Sequence, residues 1–555
     1  MRCLVSTLFI LWMSASFAQQ TVGLFTQTTG STDGYVLFAP TRSDSTYLID
    51  KCGKRIHQWS SSYNPGLSVY LLPNGNLLRS GFIQNPYFAA PGGIIELYNW
   101  DDSLLWSYQI LDSLETQNHD IYPMPNGNIL VVIWEKYTPT EAIDAGRNPA
   151  FVGTELWSAK IQEIEPVGSN TANIVWEWRL WDHLVQHFNA SKSNYGVIAD
   201  HPELLNINYM AGNPGAIDWI HLNAVSYNEQ LDQIVICSHS LSEIYIIDHS
   251  TTTAEAASHS GGNSGKGGDF LYRWGNPAAY NLGTANDQKL FLPHSPYWIP
   301  AGYPGENKIM IFNNGVNRPG GSASSVDVIA PPVDASGNYI ITPGMAFGPA
   351  TTDWSYSAPT PSNFYSNIMG GAQRLPNGNT LVCESTQGNF FELDTLSNIV
   401  WRYVNPVNNS GPLQQGTTPS GINSYRSIWY PVNYSGFAGH TMTPGEPIEL
   451  NPLPYNCIMN TATGLSTATT QTGDFVVENP FGTTIHIFSA STAGRLNLNL
   501  YSAKGELIVQ WKNISVLENS SINLSLPHQL SGGIYFLTYS GNNLNGSIKL
   551  IKTSE

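Results

Sequence analysis

The chain has little charge for its length, since only 12% of its 555 residues are Asp, Glu, Lys or Arg. Basic residues are the scarcer sign, with 24 Lys and Arg against 41 Asp and Glu, and the formal net charge is -17. Nucleic acids and anionic lipid surfaces bind proteins that present a basic face. The composition therefore argues against nucleic acid or anionic lipid as a partner.

Long stretches in which apolar residues recur every 3.6 positions, the pattern of amphipathic helices, are also absent from the sequence. Gly (50), Pro (35) and aromatic residues (12%) are abundant instead. This profile is typical of a turn-rich, extracellular all-β protein. Beyond the N-terminus no run is long and apolar enough to span a bilayer, so we expect no transmembrane segment and a mature chain that is soluble or attached to the cell surface.

The first 18 residues have the organisation of a secretory signal peptide. Arg2 is the basic start, residues 3–12 are the apolar stretch, and Ser16-Phe17-Ala18 is a small-x-small cleavage site before Gln19. We therefore predict a signal peptide over residues 1–18.

Cysteine is scarce, and four of the five cysteines remain after the signal peptide. Export permits disulfides. Cys237 and Cys383 lie inside strand-like patterns and are expected to be free thiols in the core. Cys52 lies in the first of the repeats described below and Cys457 at the end of the last, so a ring closure would allow these two to form a bridge.

One short phrase occurs three times, each time between apolar runs. It stands at Leu72-Pro73-Asn74-Gly75-Asn76, Met124-Pro125-Asn126-Gly127-Asn128 and Leu375-Pro376-Asn377-Gly378-Asn379. Asn-Gly takes the positive φ values of tight hairpin turns, and Pro fixes φ ahead of the turn. A strand-like run ending in Val/Leu-Trp follows each copy, at Trp106, Trp176 and Trp401. Repeated four-stranded units of this kind predict a β-propeller.

We predict an all-β fold, with a six-bladed β-propeller over residues 19–458 and a small C-terminal β-sandwich. The six predicted blades cover residues 34–60, 71–110, 119–181, 221–274, 291–354 and 371–403. Segment 183–220 is expected to be a loop on one face, and the Ser/Gly/Ala-rich segment 251–268 a flexible surface insert.

A change in composition after Cys457 predicts a Thr/Ala/Gly/Ser-rich linker over residues 459–473 and a second domain over residues 474–555. The strands of this domain alternate strictly between apolar and polar residues, as in Leu496-Asn497-Leu498-Asn499-Leu500, which predicts a β-sandwich.

The C-terminal segment resembles the type A sorting domain of the type IX secretion system of Bacteroidota. The matching features are Glu478-Asn479-Pro480-Phe481, Tyr501-x-x-x-Gly505, Gly533-Ile534-Tyr535-Phe536 and Lys549-Leu550-Ile551-Lys552. The resemblance implies export across the outer membrane with the type IX secretion machinery as a partner, and a secreted or cell-surface-attached product.

Three histidines begin successive predicted repeats, namely His119, His221 and His294. The innermost strand of a blade comes first, so equivalent positions converge on the central channel. Converging imidazoles act as nucleophiles and as general acids or bases near neutral pH. His239 follows on the second strand of the fourth repeat. No local metal-ligand spacing appears, and we expect no metal and no cofactor.

The repeats also resemble the arylsulfate sulfotransferase family. The resemblance is carried by Asp218-Trp219-x-His221-x-Asn223-Ala224-Val225, by His294 with Phe312-Asn313-Asn314-Gly315, and by residues 371–381 with Ile399-Val400-Trp401. His119-Asp120 ahead of Pro125-Asn126-Gly127-Asn128 also matches.

Members of that family are six-bladed propellers that move a sulfuryl group from a phenolic sulfate to a phenol through a sulfohistidine, without a nucleotide donor. The resemblance implies catalytic roles for His221, His294 and His119. It implies substrate binding by a second group of residues, namely Asn223, Asn314, Arg318, Arg374 and His239.

The sequence departs from the family at one position. The family's nucleophilic histidine lies downstream of the position matched by His294, whereas no histidine occurs here between Ser295 and Gly439, and the surroundings of His440 do not match. Either one of the three channel histidines attacks sulfur, or sulfuryl transfer is not catalysed. Three interpretations stay open: a secreted arylsulfotransferase-like enzyme, a catalytically inactive secreted propeller that binds a glycan or an aromatic ligand, and another channel-based enzyme that depends on a quinone or a metal.

Overall fold

The structure, a computed structural model, divides the chain into two compact units, Met1–Ile458 and Met459–Glu555. It describes residues 19–209, 215–455, 457, 475–477, 481, 484–489, 494–502, 505–517, 520–526, 530, 533–541 and 544–552. The predicted signal peptide, the predicted linker and Glu478-Asn479-Pro480 of the sorting-domain motif lie outside the described residues. Among the described helices, none combines the length and the apolar character that crossing a bilayer requires.

Strands dominate the first unit. In chain order they are β1 Gly23–Gln27, β2 Tyr35–Pro40, β3 Ser45–Asp50, β4 Arg55–Ser60, β5 Pro65–Leu71, β6 Leu77–Phe82, β7 Gly93–Tyr98, β8 Leu104–Gln109, β9 Glu115–Pro123, β10 Ile129–Tyr137, β11 Leu156–Val167, β12 Thr171–Arg179, β13 Leu184–Val185, β14 Leu205–Asn206, β15 Leu222–Asn228, β16 Gln233–Ser238, β17 Glu243–Asp248, β18 Tyr272–Trp274, β19 His294–Trp298, β20 Ile309–Asn313, β21 Ser325–Ile329, β22 Trp354–Tyr356, β23 Gly371–Arg374, β24 Thr380–Glu384, β25 Asn389–Leu393, β26 Ile399–Val404, β27 Val407–Asn408, β28 Gly411–Pro412 and β29 Ser424–Tyr430. This content confirms the predicted all-β class.

Helices in the described part of the chain are short. The α-helices are α1 Pro139–Asp144 and α2 Thr253–Ala256. The 3₁₀ turns are Pro149–Phe151, Leu180–Asp182, Ile198–Asp200, Pro277–Tyr280, Ala285–Asp287, Pro361–Asn363, Ser385–Gln387 and Ser435–Phe437.

Most strands of the first unit belong to six antiparallel sheets. Their spatial orders are sheet I β29-β2-β3-β4, sheet II β5-β6-β7-β8, sheet III β9-β10-β11-β12, sheet IV β15-β16-β17-β18, sheet V β19-β20-β21-β22 and sheet VI β23-β24-β25-β26-β1. We call the first strand of each order its inner strand. Each inner strand contacts the inner strand of the following sheet, and β23 of sheet VI contacts β29 of sheet I, so the six inner strands form a closed ring.

The three copies of the Pro-Asn-Gly-Asn phrase form the predicted turns, and each joins an inner strand to the second strand of its sheet. In the first copy the Leu72 N–H donates to the Asn76 carbonyl at 2.8 Å and the Gly75 N–H to the Leu72 carbonyl at 2.9 Å. The glycines have φ values of 85° at Gly75, 91° at Gly127 and 92° at Gly378, in the left-handed region that favours glycine. The turn prediction is confirmed.

Tryptophans recur on the fourth strand of each sheet order, counted from the inner strand, and connect neighbouring sheets. Five of them donate the indole N–H to a backbone or side-chain oxygen of the following sheet or of the segment beside it, namely Trp59 to Asn99, Trp106 to Thr171, Trp176 to Thr251, Trp274 to Pro349 and Trp401 to Lys51. The last of these bonds runs from sheet VI back to the loop after β3 of sheet I. Each tryptophan thus supplies buried apolar area together with a directed hydrogen bond.

Two strands at the ends of the unit were not predicted. Residues 34–60 supply only three strands of sheet I, and the inner strand β29 comes from residues 424–430. At the other end, β1 pairs with β26 of sheet VI. Strand β5 also begins at Pro65, ahead of the predicted start of the second blade at Leu71. Pairings between the two ends of a chain leave no local pattern, which is why the sequence did not reveal them.

Both predicted inserts contain secondary structure. Segment 183–220 contains β13 and β14, which pair in parallel. Segment 251–268 contains helix α2, whose N-cap is Thr252 with a reciprocal bond to Glu255. Segment 251–268 therefore contains regular secondary structure, which a purely flexible insert would lack.

Strands of the second unit, described by itself, form two antiparallel sheets. They are β30 Phe475–Val477, β31 Thr484–Ser489, β32 Gly494–Ser502, β33 Leu507–Val516, β34 Ser520–Ser525, β35 Gly533–Gly541 and β36 Leu544–Lys552. The sheet orders are β30-β31-β34 and β33-β32-β35-β36. Leu496, Leu498 and Leu500 are buried in one shared core, whereas Asn497 is exposed, which confirms the alternation read from the sequence.

Cys52 and Cys457 form the disulfide that the ring closure allowed, across a sequence separation of 405 residues. Cys237 and Cys383 are free and buried, as expected. The bridge joins the loop after β3 to the C-terminal end of the unit, and so restricts the unfolded chain strongly.

We predict that Cys52→Ala lowers the free energy of unfolding of the first unit by about 2–5 kcal/mol, because the longest loop in the unfolded chain is no longer closed. Urea unfolding followed by tryptophan fluorescence, with and without reductant, measures the effect. The Cys383→Ala variant is the control: it should lose stability on reduction as the unsubstituted protein does, whereas Cys52→Ala should not respond. A reductant response retained in Cys52→Ala would contradict the prediction.

Candidate functional site

Four histidines from three neighbouring sheets lie side by side. The ring centroids are 6.4 Å apart between His119 and His221, 5.0 Å between His221 and His239, and 5.2 Å between His239 and His294. We call these four residues the histidine row. His294 is the first residue of inner strand β19, and His221 directly precedes inner strand β15. The structure thus brings together all three predicted catalytic histidines and the predicted binding residue His239.

His119 reaches the same row from the middle of a strand. It is the fifth residue of β9, because residues 115–117 extend this strand by pairing with residues 133–135 of β10. Its ring packs edge-on against Tyr425 of β29, with centroids 5.1 Å apart. The Nδ1 atom of His119 and the Nε2 atom of His239 are buried and have no hydrogen-bond partner among the described residues.

A cavity of about 510 Å³ opens beside the row and is lined by three of its members. The lining residues are Thr41, Arg42, Asn64, Pro65, Leu67, Phe82, Ala89, Pro91, His119, His221, His294, Ile368, Met369 and Asn423. Arg42 is the one Lys or Arg in this set, and the set contains no Asp or Glu. Phe82 and Ile368 are each 39% exposed, so the wall also presents apolar surface. A site of this kind accepts an anionic group joined to an apolar body.

His221 is oriented by a carboxylate. Its Nδ1 atom lies 2.5 Å from Oδ2 of Asp218. The carboxylate accepts a hydrogen bond from Nδ1–H, which leaves Nε2 as the atom with the free electron pair. The backbone of His221 has a φ of 41°, in a region that non-glycine residues seldom occupy and that is frequent at functional sites. The Asp218-x-x-His221 spacing therefore builds an activated imidazole.

His294 is held by a different set of partners. Its Nδ1 atom lies 2.7 Å from Oδ1 of Asn314, and its Nε2 atom accepts the Met369 N–H at 3.2 Å. The Asn314 amide in turn donates to the carbonyls of Ser366 and Met369. Both nitrogens of His294 are therefore engaged. Asn314, predicted as a substrate-binding residue, contacts the histidine and the backbone behind it.

Burial and mutual repulsion keep most of the row uncharged. Burial, then the charges of His221, Arg426 and His239, hold the pKa of His119 well below its usual value. Burial, helped by His239, does the same to the pKa of His294. For His239 burial and then His221 lower the pKa to about 3. At neutral pH these three imidazoles are proton acceptors rather than proton donors.

None of the five predicted substrate-binding residues lines the cavity. His239 and Asn314 contact histidines of the row, whereas the other three have different partners. Asn223 is fully buried, and its amide donates to the Pro293 carbonyl at 2.9 Å. Arg318 donates to Ser325 Oγ at 2.8 Å and lies over the ring of Phe291.

Arg374 stands at the end of inner strand β23, whereas His294 stands at the start of β19. Its guanidinium donates to the Gly378 carbonyl at 2.8 Å and lies over the ring of Trp354. The structure therefore does not bring this guanidinium together with the histidine row.

Sequence reasoning missed the cation that does line the cavity. Arg42 follows β2 and lies in a turn with no repeat signature, so its distance to the histidines depends on ring closure alone. Met369 was also missed, although it immediately precedes Gly370 and the sixth inner strand, a place equivalent to that of His221. Its φ of 60° matches the left-handed backbone of His221, which marks the equivalence in the structure.

A buried ion pair lies beside His119. The Arg426 guanidinium donates to Oδ1 of Asp120, and the same carboxylate accepts from Ser68 Oγ and from the Val225 N–H. Arg426 also lines a smaller cavity of about 210 Å³, whose wall includes Tyr70, Tyr122 and Tyr297. The sequence motif His119-Asp120 thus combines a row histidine with a structural carboxylate.

We predict that acid destabilises the first unit through these neutral histidines. The folded-state pKa of His239 is lowered, so the unfolded chain binds more protons below about pH 6.5 and stability falls as the pH drops through that value. Between pH 7.5 and pH 5.0 this single residue should account for roughly 2 kcal/mol of lost unfolding free energy. Urea unfolding of the unsubstituted protein and of His239→Asn at both pH values measures it. Equal losses in the two proteins would contradict the assignment.

Comparisons with known proteins give a family match and no curated relative. Residues 104–405 match the family described as Arylsulfotransferase (ASST). A search of curated proteins gives no significant match.

Solved structures of low identity resemble the chain. The β-propeller domain of Cps50 (Swd1) from Myceliophteria thermophila has 6% identity and a TM-score of 0.34, with 70% of this chain and 87% of that one covered. The apo form of AztD from Citrobacter koseri has 9% identity and a TM-score of 0.32, covering 72% and 99%. Virginiamycin B lyase from Staphylococcus aureus has 10% identity and a TM-score of 0.31, covering 70% and 90%.

The family match includes His119, His221, His239 and His294, and it extends over more than half of the 555 residues. The chain therefore belongs to the arylsulfotransferase family.

Proposed function

We propose that this protein is an exported arylsulfotransferase-like enzyme, and that its first unit is a six-bladed β-propeller whose channel mouth carries the active site. The family match supports the reaction class, transfer of a sulfuryl group from a phenolic sulfate ester to a phenol. The six sheets with inner strands in a closed ring support the propeller assignment. The observation that carries the proposal is the cavity wall, where imidazoles of the histidine row meet an arginine and apolar side chains.

The cavity suits an aryl sulfate in both charge and polarity. Its wall contains Arg42 and lacks carboxylates among the described lining residues, so an anion is favoured there although the whole chain is acidic. Phe82, Ile368 and Leu67 offer apolar surface to the aromatic ring. Two carboxylates lie close to the row and neither belongs to the cavity lining: Asp218 faces the Nδ1 atom of His221, and Asp120 is paired with Arg426.

His221 is our choice for the nucleophile. The Asp218 carboxylate accepts a hydrogen bond from Nδ1–H of His221, so Nε2 has the free electron pair. The carboxylate also stabilises the positive charge that develops on the ring during attack. His294 is less suited, because its Nε2 already accepts the Met369 N–H. This assignment answers the departure from the family pattern, since no histidine stands at the start of the sixth inner strand.

In the first half-reaction, Nε2 of His221 forms a bond to sulfur and the S–O bond to the phenol breaks. The phenolate leaves with the electron pair of that bond and takes a proton from solvent at the open cavity. In the second half-reaction, the oxygen of an acceptor phenol bonds to sulfur, the N–S bond breaks, and the electron pair returns to Nε2. The proton of the acceptor passes to a neutral imidazole of the row, and His119 is our choice because it lines the cavity and its Nδ1 atom has no hydrogen-bond partner among the described residues.

Export is the second part of the proposal. The signal-like residues 1–18, the linker over residues 459–473 and the β-sandwich over residues 474–555 are assigned from the sequence. The two sheets of the second unit with one shared apolar core support a sandwich. The sorting-domain features Tyr501-x-x-x-Gly505 and Gly533-Ile534-Tyr535-Phe536 of the sequence support type IX secretion as the route to the cell surface.

We predict that the purified protein releases nitrophenol from 4-nitrophenyl sulfate in a manner that depends on an added phenol. His221→Ala should lower kcat by about a thousandfold or more, because the nucleophile is removed. Asp218→Asn should lower it by roughly a hundredfold or more, because the imidazole loses its orienting carboxylate. Release is followed by absorbance.

His440→Ala is the matched control for that experiment. His440 stacks on Trp100 with ring centroids 4.2 Å apart and does not line the cavity, so its loss should leave turnover unchanged. Turnover that survives in His221→Ala but disappears in His440→Ala would contradict the assignment of the nucleophile. No turnover in the unsubstituted protein, with retained binding of an aryl ligand, would support the inactive binding propeller instead.

We predict that Arg42→Gln raises the KM for the aryl sulfate by about tenfold with a smaller effect on the acceptor KM, because a charged hydrogen bond to the sulfate is lost. Steady-state kinetics with donor and acceptor varied separately distinguish the two. Arg55→Gln, an exposed arginine of β4 outside the cavity, is the control and should have no effect. An unchanged donor KM in Arg42→Gln would contradict the proposed binding of the sulfate group by Arg42.

A further inference from the structure

A second group of histidines lies away from the row, beside sheet IV. His183, His259 and Asp269 each offer one ligand atom, and these atoms lie within 4.8 Å of one another. Oδ1 of Asp269 is 2.8 Å from Nδ1 of His183 and 2.8 Å from Nδ1 of His259. We call these three residues the His-His-Asp cluster. Two imidazole nitrogens thus converge on one carboxylate oxygen.

The hydrogen bonds of His183 point to a cation at this place. Its Nε2 atom lies 2.8 Å from the Ala256 carbonyl, which can only accept a hydrogen bond. With Nε2–H given to that carbonyl, the neutral ring turns the electron pair of Nδ1 toward the carboxylate of Asp269, which also can only accept. A positive charge between the two resolves this conflict, either a proton on Nδ1 or a metal cation in its place. An imidazole that binds a metal through one nitrogen characteristically donates its other N–H to a backbone carbonyl.

The surroundings of His183 hold the ring rigidly. The side chain is fully buried and lies parallel to Trp178, with ring centroids 5.6 Å apart. The Trp178 indole donates to the Gly268 carbonyl at 2.7 Å. Gly268 approaches so closely that an added Cβ would stand 2.0 Å from the Ala256 oxygen and 2.6 Å from Nε2 of His183. The loop is thus shaped around this imidazole, as a preformed ligand requires.

The cluster is accessible from a cavity with acidic walls. This cavity has a volume of about 610 Å³, and its lining includes Asp144, Asp182, Glu203, His259 and Asp269, with no Lys or Arg among the described lining residues. His259 is 62% exposed at the side chain, whereas Asp269 is 9% exposed. Negative walls raise the local concentration of cations, so the cluster has an entry path of suitable charge.

We propose that the His-His-Asp cluster is a binding site for a divalent transition metal, with Zn²⁺ as the best chemical fit. Nδ1 of His183, Nδ1 of His259 and a carboxylate oxygen of Asp269 are the three protein ligands, and a fourth position faces the acidic cavity. Two imidazoles with one carboxylate are a donor set that Zn²⁺ binds tetrahedrally, whereas Ca²⁺ and Mg²⁺ prefer oxygen ligands throughout.

The metal would join two segments that are far apart in the chain. His183 directly precedes β13, whereas His259 and Asp269 belong to the loop between α2 and β18. Both segments correspond to the inserts that interrupt the regular repeats. A cation bound by both would stabilise them against the body of sheet IV, in the same way that any ligand that binds the folded state alone stabilises it.

The test is titration of the chelator-treated, purified full chain with ZnCl2 in an isothermal calorimeter. We expect binding of at least one equivalent and a rise in the melting temperature on addition of Zn²⁺. His259→Ala should lose one equivalent, or weaken it by more than about tenfold, which is the range that even outer hydrogen-bond partners of a metal site control. CaCl2 should give no comparable signal.

His187→Ala is the matched control, because His187 is exposed on the same insert and lies outside the cluster. It should bind Zn²⁺ as the unsubstituted protein does. Asp269→Asn is the second test variant and should also lose one equivalent, with far-UV circular dichroism establishing that it is folded. The proposal is overturned if the unsubstituted protein binds no Zn²⁺, or if it and His259→Ala bind the same number of equivalents with the same affinity.

Discussion

One buried ion pair holds together the centre of the first unit. Asp120 of β9 accepts from Arg426 of β29, from Ser68 of β5 and from the Val225 N–H of β15, so a single carboxylate joins four inner strands. The carboxylate is inaccessible to solvent, and loss of either charge would leave the other uncompensated, at about 3–5 kcal/mol. Burial on its own lowers the pKa of Arg426, but the Asp120 carboxylate, together with Tyr70 and Tyr425, outweighs it, so the pKa of Arg426 is raised. The residue before Asp120 is His119, so the pair that closes the ring also sets the position of the histidine row.

The protonation states of three histidines of the row follow from their burial. Three imidazoles share a buried region without a carboxylate of their own, and they remain neutral because protonation would be poorly solvated and would repel the neighbouring rings. His221 differs because Asp218 faces it. Similar residues at neighbouring positions thereby differ: His221 is oriented by a carboxylate, whereas the other three imidazoles are uncharged. The distinction arises from a single nearby carboxylate.

Much of the architecture could be predicted from local patterns. The Pro-Asn-Gly-Asn turns form as expected because both their φ requirement and their hydrogen bonds are local. The three histidines at repeat starts converge, and the Cys52–Cys457 bridge follows from the same closure. The arginine that lines the cavity is not one of those predicted. Arg318 and Arg374 stand on repeats that carry the family motif, and their guanidinium groups donate to Ser325 and to the Gly378 carbonyl, whereas Arg42 lies in a turn without a repeat motif and lines the cavity.

The sequence by itself determined the strand periodicity, the turns and the spacing of repeats, because each depends on residues within a few positions of one another. It also determined which imidazoles begin the repeats. Only the tertiary structure decided that β29 completes sheet I, that Arg42 lines the cavity and that His183 meets His259 and Asp269. These are contacts between segments distant in the chain. Their geometry depends on how many sheets the ring contains and on where inserts fold back, which no local pattern encodes.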